Sequence, residues 1–189
     1  MIKSTVRKEF LERRMNILEE DLQQQAVLLA FNFKKVILPT VKYLLSYNAL
    51  TSRREFDVSV CEEILRESNP AMRVAWPKIH VDMLDMEAGL VEKDGLFIKN
   101  KFNILEPISG DIVPPGQLDL IFVPLIAFDV RGYRVGYGKG YYDRYLTQCR
   151  PDAIKIGFSF FDAVEYIEDI DEFDVPLNFC ITPRRIYEF

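Results

Sequence analysis

The sequence predicts an α/β protein: a layered α/β/α domain on a largely parallel sheet, with residues 1–189 forming one domain. Three observations carry this expectation. The run 118–128 is apolar almost throughout instead of alternating, as strands covered on both faces are. Segments of strand type are separated by segments of helical period, the pattern of helices layered on a parallel sheet. A hydrophobic fraction of 49% over 189 residues allows one sizeable core and fits a single domain.

The elements follow in order. Residues 4–33 read as helical, because Val6, Phe10, Ile17 and the set Leu11, Met15, Leu18, Leu22 recur at helical spacing with charges between them. The Leu38-Pro39 step ends the second helical stretch. Residues 41–47 form a short apolar strand, followed by the polar loop 51–54. Asp57 caps a helix running through Val60, Ile64 and Leu65. A strand over 73–76 is expected to stop at Pro77. Asp94-Gly95, flanked by Leu90, Val91, Leu96 and Phe97, signals a hairpin, and 83–107 reads as an insertion or an antiparallel edge. After the strand 118–128 come a helix over 141–149, a strand over 154–160 and a final short strand over 179–181. No internal repeat or low-complexity tract interrupts this order.

Composition narrows the function classes. A formal net charge of −5 argues against a nucleic-acid binder but leaves room for a local basic pocket. Cys61, Cys149 and Cys180 are odd in number and form no C-x-x-C pair, so neither a disulfide framework nor a zinc site is suggested. The N-terminal residues soon become charged and show no signal-peptide apolar region, and no apolar run reaches the length of a membrane span. A cytoplasmic monomer with no membrane or nucleic-acid partner is expected. The sequence offers no Ser-His-Asp constellation, and its only histidine is His80.

Four of the nine glycines fall in one window, Gly132-Tyr133-Arg134-Val135-Gly136-Tyr137-Gly138-Lys139-Gly140. Glycine costs backbone entropy, so this density makes sense where the chain turns sharply or lets a ligand approach its backbone. The window joins the most apolar strand to a helix, the place where backbone N–H groups meet a phosphate. It carries two cations, Arg134 and Lys139, with Asp143 just beyond. It is neither a Walker A loop nor G-x-G-x-x-G. Taken alone, a strained turn with two solvated cations is an equal reading.

The longer string removes that balance. Val123-Pro124-Leu125-Ile126-Ala127-Phe128-Asp129, then the glycine window and Tyr141-Tyr142-Asp143-Arg144-Tyr145-Leu146, closely resembles the signature of the 5-formyltetrahydrofolate cyclo-ligase family, also called methenyltetrahydrofolate synthetases. About two dozen residues stand in register, and weaker matches span most of the chain. Lys3 and Arg7 match the lysine and arginine that open the family's first helix; Glu55, Trp76-Pro77, Glu106-Pro107, Asp174 and Ile181-Thr182-Pro183 match further family positions. The resemblance implies a NagB/RpiA/CoA-transferase-like fold. It implies conversion of 5-formyltetrahydrofolate to 5,10-methenyltetrahydrofolate with ATP as co-substrate and Mg²⁺ as metal, releasing ADP and phosphate.

It also implies roles. Lys3, Arg7, Arg134, Gly136, Tyr137, Gly138, Lys139, Gly140 and Tyr142 would bind ATP, with Arg134 and Lys139 catalytic through charge neutralisation. Leu50, Glu55, Tyr137, Gly138, Lys139, Gly140 and Tyr141 would bind the reduced folate, polyglutamylated or not; Trp76 and Met83 are weaker candidates for walls around its pterin ring. Asp143 and Asp174 would ligate the metal, since Mg²⁺ takes one or two carboxylates beside phosphate oxygens and water. Departures from the family are Leu125 in place of a glycine, Asn178 in place of an aspartate, a stretch 158–169 without the usual glutamine and proline, and a longer loop that blurs the register at Leu50. Two other readings stand beside this one: a non-catalytic nucleotide- or folate-binding relative, and a sugar-phosphate isomerase-like enzyme on a related layout.

Overall fold

The computed structural model describes residues 1–80, 82, 85–91, 96–100, 105–108 and 110–189. Two helices open the chain, α1 Lys3–Met15 and α2 Glu19–Phe33. Strand β1 Tyr43–Leu45, helix α3 Ser59–Ser68, and strands β2 Arg73–His80 and β3 Asp85–Leu90 follow. Next come β4 Phe97–Lys99, β5 Leu105–Pro107, β6 Ile112–Val113, β7 Leu120–Val123, β8 Ala127–Phe128 and β9 Arg134–Val135. Helix α4 Tyr141–Leu146 leads to β10 Ile154–Phe158, β11 Phe179–Ile181 and β12 Ile186–Glu188.

Eight strands form the central sheet in the order β12-β11-β10-β7-β1-β2-β3-β6. The inner five, β11, β10, β7, β1 and β2, run parallel; at one side β12 is antiparallel to β11, and at the other β3 is antiparallel to β2 and β6 to β3. The expected α/β layering with a largely parallel sheet is therefore present. The two-residue period of β7 explains its apolar run. Leu120 and Phe122 point into one core with Leu44, Ile156 and Phe158 beneath α2 and α3, whereas Ile121 and Val123 point into a second with Leu45, Ala75 and the α4 residues Tyr145 and Leu146. Both faces are dry, so neither tolerates a polar alternate. Helix α1 lies apart from these cores, packing Val6 and Phe10 on Ile126, Ala127 and Val135 of the β8–β9 hairpin.

Several expectations are corrected. The run 118–128 is not one strand: Pro124, lacking an N–H, breaks the ladder after Val123, and β8 then pairs antiparallel with β9 in a separate ribbon. Pro77 does not stop β2, which continues to His80. Pairing with β1 ends opposite Ala75, so beyond it the strand's ladder partner among the described residues is β3 and a proline is tolerated. Asp57 is not the helix cap: the N-cap of α3 is Val58, with no side-chain capping bond, and Asp57 sits one residue earlier, its carboxylate accepting from Ser59 N–H at 3.0 Å. Helix α4 ends at Leu146 and β10 at Phe158, both short of the expected limits, and β12 was not foreseen. The segment 83–107 supplies an antiparallel edge in β3 and a β4–β5 ribbon; Asp94, Gly95 and Met83 lie outside the described residues. Among the described residues no helix is long and apolar enough to cross a membrane.

Leu125 is accommodated by Gly157 on β10. A Cβ at Gly157 would lie 2.4 Å from Leu125 Cδ2 and 2.8 Å from Leu177 Cδ1. Both leucines are buried, so their ends have little room to yield. Gly157→Ala is expected to destabilise the fold by about 1–3 kcal/mol, the usual cost of overpacking a filled core. Urea denaturation of the two proteins measures it, and Leu125→Gly in the alanine background should restore part of the loss.

Candidate active site

The site is built at the carboxyl end of β7, where ligands gather in open α/β sheets. Here the chain leaves the sheet, makes the β8–β9 hairpin and runs through the glycine loop into α4. Fully buried Asp129 holds the hairpin. Its carboxylate accepts from the backbone N–H of Arg131 (2.9 Å), Tyr133 (3.1 Å) and Ile167 (3.2 Å) and from the Arg131 guanidinium (2.7 Å). Gly138 and Gly140 have φ of +86° and +69°, the left-handed region that other residues rarely enter, whereas a side chain at Gly136 would meet open space.

Cations surround this loop in two states. Arg134 is buried, donating to Asp143 Oδ1 at 2.6 Å and to the Val175 carbonyl at 2.5 Å. Burial lowers the guanidinium pKa, and the nearby carboxylates of Asp143 and Asp174 oppose that effect. Lys3 Nζ is paired with Asp174, while the Lys3 backbone N–H donates to Asp169 Oδ1 at 2.6 Å. The acidic run near 168–174 is thus not merely solvated: it caps the start of α1 and sets Lys3 against Asp174. Arg7 and Lys139 differ. Arg7 Nε donates to the Gly136 carbonyl at 2.8 Å, and its guanidinium lies beside Gly138. Lys139 is exposed, and among the described residues neither it nor Arg7 has a carboxylate partner. Two positive charges without a carboxylate partner among the described residues therefore border the loop.

A second group forms beside the first. Glu55 accepts the Leu50 backbone N–H at 2.7 Å and the Tyr137 hydroxyl on its other oxygen. Burial raises the Glu55 carboxyl above the ordinary glutamate value, an effect that these two donors and Arg14 only partly offset. Arg14, itself buried, donates to Tyr137 Oη at 2.7 Å and to the Leu125 carbonyl at 3.2 Å. The Tyr142 hydroxyl is buried and has no hydrogen-bond partner among the described residues; it feels both Glu55 and Arg134, so it joins the two groups.

The structure thus brings together Lys3, Arg7, Arg134, Gly136, Tyr137, Gly138, Lys139, Gly140, Tyr142, Asp143 and Asp174, with Leu50 and Glu55 adjoining. Tyr141 stands apart in one respect: its ring is buried in the core under α4, leaving its backbone next to the loop. Trp76 packs edge-on against Phe97 at 5.7 Å on the β2 side. Arg14 was missed. Its signal was available, since Lys3, Arg7 and Arg14 fall on one face of α1. Among the described residues no group of three or more metal-type side chains forms. Asp143 and Asp174 both flank Arg134, however, and two carboxylates are what Mg²⁺ asks of a protein when phosphate oxygens and water complete its shell.

Fold and loop together define an α/β protein equipped to take a phosphate-bearing ligand at its central strand. Comparison supplies the family: the profile of the 5-formyltetrahydrofolate cyclo-ligase family matches residues 1–183, and the chain belongs to it. The 5-formyltetrahydrofolate cyclo-ligase of Mycoplasma pneumoniae is 29% identical over 189 residues, covering 96% of this chain and 98% of the relative. That of Escherichia coli K12 is 26% identical over 181 residues, covering 90% and 93%. The NMR structure of Aquifex aeolicus 5,10-methenyltetrahydrofolate synthetase matches with a TM-score of 0.78 at 31% identity, covering 100% of this chain and 93% of that one. The chain is accordingly an enzyme, an ATP-dependent cyclo-ligase that converts 5-formyltetrahydrofolate to 5,10-methenyltetrahydrofolate.

Proposed function

We propose that the glycine loop holds the ATP phosphates against the formyl group of 5-formyltetrahydrofolate, and that Glu55 holds the folate. The observation carrying this reading is the pair of cations without a carboxylate partner among the described residues, Arg7 and Lys139, on a loop that adjoins a buried carboxylate. An amide-like formyl oxygen is a poor leaving group until phosphorylated. In the first step this oxygen bonds to the γ-phosphorus as the bond from phosphorus to the ADP oxygen breaks. In the second, folate N10 attacks the activated carbon, its C–O bond breaks to release phosphate as the ring closes, and the N10 proton leaves to the phosphate or to water. Neither step needs a protein nucleophile. Positioning and charge neutralisation carry the chemistry.

Arg7, Lys139 and the amides from Gly136 to Gly140 bind the phosphates, with Tyr137 and Tyr142 alongside. Arg134 and Lys139 neutralise charge on the transferring group. Leu50, Glu55, Tyr137 and the loop backbone through Tyr141 meet the folate. Asp143 and Asp174 would hold Mg²⁺, which would supply charge neutralisation. Both carboxylates are paired with cations of the same site, Asp174 with Lys3 and Asp143 with Arg134. The reading takes 1–189 as one domain working as a cytoplasmic monomer. The test is appearance of methenyltetrahydrofolate absorbance from 5-formyltetrahydrofolate with ATP, with and without EDTA. Product unaffected by EDTA would remove the metal role, and absence of product with metal and ATP present would remove the reading.

Glu55 adds a pH prediction. Because burial raises its pKa, Glu55 gains its proton at a higher pH than a free glutamate, and binding that needs the carboxylate weakens as pH falls through that raised value. The acid limb of kcat/KM is therefore expected above the ordinary 4.5. Glu55→Gln should lower kcat/KM and abolish this limb; an unchanged limb would assign it to another group. The sign for stability is the reverse of a paired carboxylate: the folded state is favoured at low pH, and that advantage is lost as pH rises through the raised value.

A further inference from the structure

Arg14 is an uneconomical choice for packing alone. It is 5% exposed on the buried stripe of α1, it has no carboxylate partner among the described residues, and its Nε–H is buried without an acceptor. Burying a guanidinium without a counter-ion is costly, and an apolar residue would fill the same stripe more cheaply. What its charge does is visible in its bonds. Nη1 ties it to the Leu125 carbonyl at the strand exit, and Nη2 donates to Tyr137 Oη at 2.7 Å.

The polarity of the next link is forced. A guanidinium has no acceptor, so the tyrosine oxygen accepts from Arg14 and must turn its single proton elsewhere; Glu55 is the acceptor it meets. The remaining groups around Glu55 are the Leu50 N–H and the phenols of Tyr47 and Tyr142, none of them positively charged. Arg14 is the cation that acts on this carboxylate.

We propose that Arg14 is a positioning residue for the reaction, orienting Glu55 toward the folate through the hydroxyl of Tyr137. The inference rests on the reading of Glu55 as a folate contact. It gives α1 two duties at one active site, Lys3 and Arg7 toward the nucleotide and Arg14 toward the folate.

The test is steady-state kinetics with varied folate, ATP and pH for the wild type, Arg14→Met, Tyr137→Phe and the double variant, with Arg14→Lys as the charge-keeping control. Arg14→Met is expected to raise the folate KM about tenfold, the scale of one hydrogen bond to a charged group, and to change the ATP KM and kcat far less. It should also move the acid limb to higher pH, and Arg14→Lys should return the limb most of the way. Tyr137→Phe should reproduce the folate effect, and the double variant should add nothing to it, since both residues act along one chain. Equal effects on folate and ATP, an unmoved limb, or additive single effects would each overturn the proposal. Should Arg14→Met fail to fold, Arg14→Lys and Tyr137→Phe alone decide through the limb and the folate KM. Direct folate binding, followed by fluorescence over the same pH range, separates the two readings. No folate binding by the wild type sinks the function proposed for the site; binding whose pH dependence ignores Arg14 sinks only this inference.

Discussion

Arg134→Ala is expected to cut kcat/KM for cyclisation by about 10²–10³-fold, the range found when one preorganised charge stabiliser is removed from a transition state. Three features make this the largest functional loss in the molecule. The side chain is buried, so its charge acts in a poorly screened setting. It is held by both Asp143 and the Val175 carbonyl, so it is aimed before the substrate arrives. It lies on β9, fixed to the sheet exit through the hairpin, whereas Lys139 sits on the exposed loop. Lysine cannot replace its forked donor geometry, so Arg134→Lys should recover little. The protein should still fold, because the Asp143 side chain is 27% exposed and water can take the lost partner's place. Rates and circular dichroism of the variants check both halves. A native-like Arg134→Ala with a loss below about tenfold, one factor of 1.4 kcal/mol, would place the essential charge elsewhere.

How much of this was legible follows from what kind of interaction built each part. Local signals read well. The glycine window announced itself because left-handed φ at Gly138 and Gly140 is a property of single residues, and the apolar run announced β7 because both its faces are dry. Pro77 misled because a proline's effect depends on which neighbours the strand has, and β1 stops one pair too early to need its N–H. Pro124 was passed over for the opposite reason: β7 is flanked by β1 and β10, so the same residue type ends the strand there. The ion pairs were not legible at all. Lys3 and Asp174 stand at opposite ends of the sequence, and only the packing of α1 on the β8–β9 hairpin brings them together. Family resemblance named both residues without disclosing that each pairs with the other. Arg14 escaped because burial cannot be read from an arginine surrounded by other charges, although its place on the face shared with Lys3 and Arg7 was there to be counted.

The hairpin that carries Arg134 depends on one side chain, and Asp129→Ala is expected to show the largest loss of stability. Asp129 is fully buried and its two oxygens satisfy three backbone N–H groups, those of Arg131, Tyr133 and Ile167, besides the Arg131 guanidinium. Two of these N–H groups belong to the turn itself, and the third belongs to the segment leading to the acidic run that meets Lys3. Alanine would leave all three without this acceptor and Arg131 without its counter-charge. Leaving three N–H groups without their acceptor costs about 3 kcal/mol or more. For a chain of this size that corresponds to a fall in Tm of about 10 °C or more. Asp129→Asn keeps the shape and one acceptor oxygen, so it should lose distinctly less. Urea and thermal melts of the two variants give the comparison, and the order matters more than the absolute values. If alanine cost no more than asparagine, the turn would be held by its backbone bond from Asp129 N–H to the Tyr133 carbonyl at 2.8 Å, and the carboxylate would be dispensable. The activity readout separates this defect from that of Arg134: at a temperature where the Asp129→Ala protein remains folded, the hairpin still presents Arg134, and kcat should return toward the wild-type value instead of staying depressed.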